Sequence, residues 1–213
     1  MEWRKVPVVE CLPPTPFEIS GLKPGCVVLF SGLTDLEYRI QATLRNRWTR
    51  CAIIVPGLDG SPVLLQSTSR PIAGDVITGE LLTGVQMVSI REVLTRFEGE
   101  IGFRPVAPPL SSAQNCVLAE FARKKLGLPF NYSPYYALRA ARRRNRDGDG
   151  TKYYCTELVA ATLQHVGVLA EPPSGRSASN HVPGDFAAPS EDLSLNGGYM
   201  LLPQATVHCP RPD

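Results

Sequence analysis

The chain has 213 residues, 43% hydrophobic and 20% charged, which suits one sizeable core in a single domain with loops. A formal charge of +2 gives no global electrostatic bias. No run approaches the roughly 18–20 apolar residues that a membrane span requires.

Residues 1–24 read as a Pro-rich arm, with prolines at 7, 13, 14 and 16. The polar opening Met1-Glu2-Trp3-Arg4-Lys5 predicts no signal peptide, and a cytoplasmic protein is expected. A domain over 25–202 follows, and 203–213 is left as a C-terminal tail. Within the domain, Cys26-Val27-Val28-Leu29-Phe30 predicts a strand over 26–31, and Leu36, Tyr38, Ile40 and Leu44 a helix within 34–46. Strands are expected near 51–55, 62–67 and 84–89, with turns at Gly57, Gly60 and Gly74. A short helix over 90–97 and a strand over 102–106 come next. Ser111 can cap a helix that Gly127 ends. A loop rich in Pro, Ser and Gly runs from Gly167 to about 198, before a last strand over 199–202. This order predicts an α+β domain with a mainly antiparallel sheet.

The most informative stretch is Tyr153-Tyr154-Cys155-Thr156-Glu157-Leu158-Val159. Leu158, Val159, Thr162, Leu163 and Val166 repeat at helical spacing and Gly167 is a natural stop, so Cys155 sits on the first turn of a helix. Unpaired N–H groups and the helix dipole there stabilise a thiolate, which is one way to activate a cysteine nucleophile. A buried thiol packed as a small apolar side chain is the plain alternative.

Upstream lie Leu126-Gly127-Leu128-Pro129-Phe130-Asn131-Tyr132, Trp48-Thr49-Arg50-Cys51-Ala52-Ile53-Ile54-Val55 and Gly25-Cys26-Val27-Val28-Leu29-Phe30. In this order the motifs resemble the circularly permuted branch of the NlpC/P60 papain-like superfamily, which includes YiiX-like proteins and is related to lecithin:retinol acyltransferase-type enzymes. The resemblance covers about residues 20–202. It implies a permuted papain-like fold, with the sheet packed against the helix that bears the nucleophile, Cys155. It also places Arg50 where the family has its histidine, Gln66 where an orienting carboxylate often stands, and Cys26 in place of an aspartate. Arginine cannot accept the thiol proton, although its charge can favour a thiolate; glutamine can only hydrogen-bond. His181, in Asn180-His181-Val182-Pro183-Gly184-Asp185-Phe186, resembles part of the family's loop after the cysteine helix and is a candidate replacement base. An exposed loop histidine is the plain alternative. His165 lies about 15 Å from Cys155 by helix rise, too far to act on it.

Cysteines at 11, 26, 51, 116, 155 and 209 show no Cys-x-x-Cys pair and are expected as free thiols, with 26, 51 and 116 in packing roles. None of the three histidines has metal-ligand spacing, so no metal or cofactor is expected. Arg139, Arg142, Arg143, Arg144, Arg146 and Lys152 form a basic run between the turn and Cys155. It reads either as a solvated helix end or as a basic lip for an anionic headgroup, membrane surface or acidic peptide. The run is short and lacks interleaved aromatics, so no nucleic acid is expected. Asn145-Arg146-Asp147-Gly148-Asp149-Gly150 matches the opening of an EF-hand loop, but its twelfth place is Thr156 instead of glutamate, which favours a flexible turn.

Two function classes follow. One is a cysteine hydrolase or acyltransferase that works through a Cys155 acyl-enzyme on an amide, ester or thioester of a small-molecule, lipid or peptide substrate. Trp48, Tyr154, Arg139, Arg142 and Arg143 are its candidate substrate contacts. The other is a degenerate member that keeps the cleft for binding a lipid or peptide ligand.

Overall fold

The computed structural model describes residues 21–133, 135–146, 148–187 and 193–209; most of the Pro-rich arm and Asp147 lie outside them. In chain order the elements are β1 (Val27–Gly32), α1 (Asp35–Leu44), β2 (Arg50–Pro56), β3 (Pro62–Thr68), β4 (Gly84–Val88), α2 (Ile90–Arg96), β5 (Gly99–Arg104), β6 (Val106–Ala107), α3 (Ser112–Lys125), α4 (Tyr136–Ala141), α5 (Cys155–His165), β7 (Met200–Leu201) and β8 (Ala205–Cys209). Six strands form one sheet in the order β4-β3-β2-β1-β5-β8, every neighbouring pair antiparallel, and β6 and β7 make a small ribbon. The protein is therefore α+β with an antiparallel sheet.

The central strands read as unbroken apolar runs because both faces of the sheet are covered. Val27, Leu29, Cys51, Ile53, Val55, Leu65 and Met87 pack with α3 and α5. Val28, Phe30, Ala52, Ile54, Leu64 and Val88 form a second cluster with Ile90 and Val93 of α2. The register fixes this division: Leu29 lies opposite Cys51, and Ile53 opposite Leu65.

Four elements differ from expectation. β5 begins at Gly99 instead of Gly102. The segment left as a tail supplies β8, which pairs with β5 from Gly99↔Cys209 to Phe103↔Ala205. The final strand over 199–202 is the two-residue β7. Helix α4 was not expected; its N-cap, Tyr135, makes no side-chain cap bond.

Arg104, at the end of β5, ties the C-terminal part to the sheet. It is 5% exposed and donates from Nε to the Leu202 carbonyl (3.1 Å), from Nη1 to Phe186 and Ala187 (3.0 and 2.7 Å), and from Nη2 to Leu201 (2.9 Å). The Pro183–Phe186 turn is thereby drawn back onto the sheet.

Candidate functional site

Helix α5 starts where three segments meet. Tyr154 takes an extended N-cap conformation, and its N–H donates to the Glu157 carboxylate at 3.3 Å. One residue earlier, the Tyr153 N–H donates to the Pro129 carbonyl (3.1 Å), and its own carbonyl accepts from Asn131 N–H (3.0 Å) and Ser67 Oγ (2.7 Å). The Gly-x-Pro-aromatic turn thus lies directly beside the cysteine helix. The Tyr154 ring stacks on Tyr136 at 4.9 Å and meets Phe130 at 5.4 Å.

At the end of the sheet where β2 begins and β3 ends, a cleft of about 160 Å³ is lined by Cys155, Arg50, Tyr154, Glu37, Phe130 and Arg70, among others. Arg50 leaves β2 on the face opposite Cys51, among Phe30 and Phe97, with its guanidinium 5.7 and 5.4 Å from those rings. As the first residue of the strand, it still reaches the cleft. Its Nη2 donates to Glu37 Oε1 at 3.0 Å, and its Nε is buried without a partner among the described residues. Glu37 also completes a capping box with Thr34, and a side chain at Gly32 would overlap its carboxylate.

The group that acts most strongly on Cys155 is Cys51, on the α5-facing side of β2, and both side chains are buried. Cys51 is the largest influence holding the Cys155 thiol below its ordinary range; burial opposes it, while the Arg50 charge and the Thr156 N–H assist it. Cys51 is pushed up, first by burial and then by its neighbour. The pair therefore keeps one proton on Cys51 and favours the anion on Cys155. Sequence reasoning missed Cys51 as a site residue, reading it as packing, and missed Glu37 altogether. The spacing Thr34-x-x-Glu37, a capping-box signature, was the available signal for Glu37.

Other expected site residues lie elsewhere. Gln66 sits across from Gln86 with the parity of Leu64, so it faces away from α5, and its Nε2 has no partner among the described residues. Trp48 is buried in the core, with Arg47 over its ring at 4.5 Å. Arg143 forms a two-pronged ion pair with Asp185 (2.8 and 2.9 Å) and also donates to the Asn180 carbonyl, which makes it a structural tie instead of a basic lip. Arg139 and Arg142 are exposed beside a separate depression that they share with Arg144. Asn145, at the first place of the EF-hand-like run, gives Nδ2 to the Tyr136 and Ser179 carbonyls. Cys116 is exposed on α3, whereas Cys26 is buried on the far face and pushed up to about 12 by burial.

His181 is a buried residue, not an exposed loop histidine, and it does not line the cleft. It is 2% exposed, stacks on Phe186 at 5.6 Å and places Nδ1 3.1 Å from the Ser177 carbonyl. Burial, with help from the Arg176 charge and against Asp185, pushes its pKa from the ordinary 6.5 down to about 4. The folded state thus holds a neutral ring where the unfolded chain takes a proton. This contribution to stability is complete above about pH 6.5 and is lost as the pH falls toward 4, by about 3 kcal/mol in all. Urea unfolding at pH 7 and pH 4.5 should show the drop in wild type and a shallower one in His181→Gln. Equal drops would mean that His181 is not held neutral.

No helix among the described residues is long and apolar enough to cross a membrane, and none of their His, Cys, Asp and Glu side chains gather in threes or more to hold a metal ion. No family model matches the chain, and neither does any curated protein. Among solved structures it is similar to the metalloprotein YiiX from Escherichia coli O157:H7, with a TM-score of 0.50 and 16% identity over 89% of this chain and 98% of that one. The fold of this chain is YiiX-like.

Proposed function

We propose that this is a circularly permuted papain-like domain of the NlpC/P60 type and that Cys155 is its nucleophile, acting on thioesters and activated esters of a small-molecule, lipid or peptide substrate in the cytoplasm. The observation that carries this reading is the Cys155 thiol at the start of α5, opening on a cleft and held below its ordinary range by Cys51. The thiolate attacks the carbonyl carbon, and N–H groups of the first turn donate to the developing oxyanion. The leaving thiolate or alkoxide departs, and water or an acceptor then releases the acyl group from Cys155.

The choice of leaving group follows from Arg50. Its guanidinium is committed to Glu37 and stays charged, so it neither takes the thiol proton nor gives one to an amine. Thioesters need no such proton. Turnover of a matched thioester should exceed that of the amide by more than their intrinsic reactivities allow, with a further gap of about 10²–10⁴-fold for the missing acid–base step. Parallel assays of wild type and Cys155→Ala test this, and activity that survives the substitution removes the nucleophile.

The Arg50–Glu37 ion pair also favours the second reading, a cleft kept for binding. Arg139 and Arg142, exposed beside the separate depression and without ion partners among the described residues, are then the candidates to meet an anionic headgroup that reaches beyond the cleft. Saturable ligand binding with no turnover by wild type would select it.

A further inference from the structure

The second thiol at the site has no task in acyl transfer. Ile53 and Val55 show that an aliphatic side chain packs this face of β2 well, yet position 51 holds a cysteine on the face against which the start of α5 packs. Independent contacts set Cys51 beside Cys155. Continuing the β2–β3 register from Ile53↔Leu65 brings Ser67 opposite Cys51, and Ser67 Oγ bonds the Tyr153 carbonyl, two residues before Cys155. Leu158 and Val159, on the first turns of α5, join Cys51 in one core cluster. The other described cysteines are remote: Cys26 and Cys209 pack on the opposite face of the sheet, and Cys116 is exposed on α3.

We propose that Cys51 and Cys155 form a redox couple in which a small hydroperoxide oxidises Cys155 and Cys51 then closes a β2–α5 disulfide that silences the nucleophile until it is reduced. The inference rests on the reading of Cys155 as a thiolate open to the cleft. Access sets the order of events, because Cys155 lines the cleft and Cys51 does not. The Cys155 thiolate attacks the terminal peroxide oxygen and the O–O bond breaks. The alkoxide leaves and is protonated to the alcohol; the sulfur, oxidised by two electrons, becomes a sulfenic acid. The Cys51 sulfur then attacks the sulfenic sulfur, the S–O bond breaks, and the departing hydroxide takes the Cys51 proton as water. Overall, two thiols and one hydroperoxide give one disulfide, one alcohol and one water. A disulfide reductant reverses the change.

The test uses the native full chain treated with tert-butyl hydroperoxide, then unfolded, alkylated with iodoacetamide and mapped by mass spectrometry. The expected result is a Cys51–Cys155 linked peptide, with both thiols lost to alkylation and recovered after dithiothreitol. In Cys51→Ser the sulfenic acid should persist at Cys155 and be captured by dimedone. Cys155 advancing to sulfinic acid while Cys51 stays alkylatable would overturn the proposal, as would a bridge from Cys155 to a different cysteine. The wild-type map needs no variant to fold. A chain that bridges but never acylates sinks the hydrolase reading alone, whereas one that acylates but never bridges sinks only the redox couple.

Discussion

Arg50→His is expected to raise amide turnover by about 10²–10⁴-fold, the range a positioned acid–base group supplies. The cleft already holds what such a histidine needs. Glu37, 3.0 Å from the Arg50 guanidinium and fixed by its bonds to Thr34, stands where a carboxylate could accept one ring N–H while the other nitrogen turns to Cys155. Glu37, not Gln66, would therefore orient the imidazole, and adding Glu37→Gln should remove most of the gain. Kinetics of the single and double variants on one acyl amide decide this. A folded Arg50→His chain with unchanged turnover would mean that position 50 does not place a base beside Cys155.

Arg104→Met should be the most damaging single change outside the cleft. It leaves the buried main-chain carbonyls of Phe186, Ala187 and Leu201, and the less buried one of Leu202, without the donor that now reaches them. Each unsatisfied carbonyl costs about 1–3 kcal/mol, so a loss of about 4 kcal/mol or more is expected even with some relaxation. Urea denaturation measures it, and a loss under about 1 kcal/mol would show that water or a shifted turn replaces the guanidinium.

The sequence made the cysteine helix legible because its apolar spacing and its glycine stop point the same way. The Gly127–Phe130 turn was legible too, since the glycine and proline prescribe a bend, and that bend lands beside Tyr153. Side-chain direction at strand ends was harder to read. Arg50 and Cys51 are adjacent, and only the pairing of β1 with β2 reveals that Cys51 faces α5 while Arg50 turns to Glu37. Gln66 was misplaced by the same one-residue parity. Trp48 looked like a cleft aromatic, but the chain buries it before β2 begins. β8 escaped notice because its residues are mostly exposed on an edge and carry little apolar alternation. His181 was read from its loop, and no local pattern announces that Phe186 and Ser177 enclose it.

A nucleophilic Cys155 takes up an acyl group from a reactive substrate. Incubating the full chain with a short-chain acyl thioester, quenching in acid and measuring the intact mass with peptide mapping detects this step. A single acyl adduct on Cys155 is expected in wild type and none in Cys155→Ala. A chain that carries no acyl group on Cys155, or one whose Cys155→Ala variant is acylated equally well, would contradict a nucleophilic Cys155.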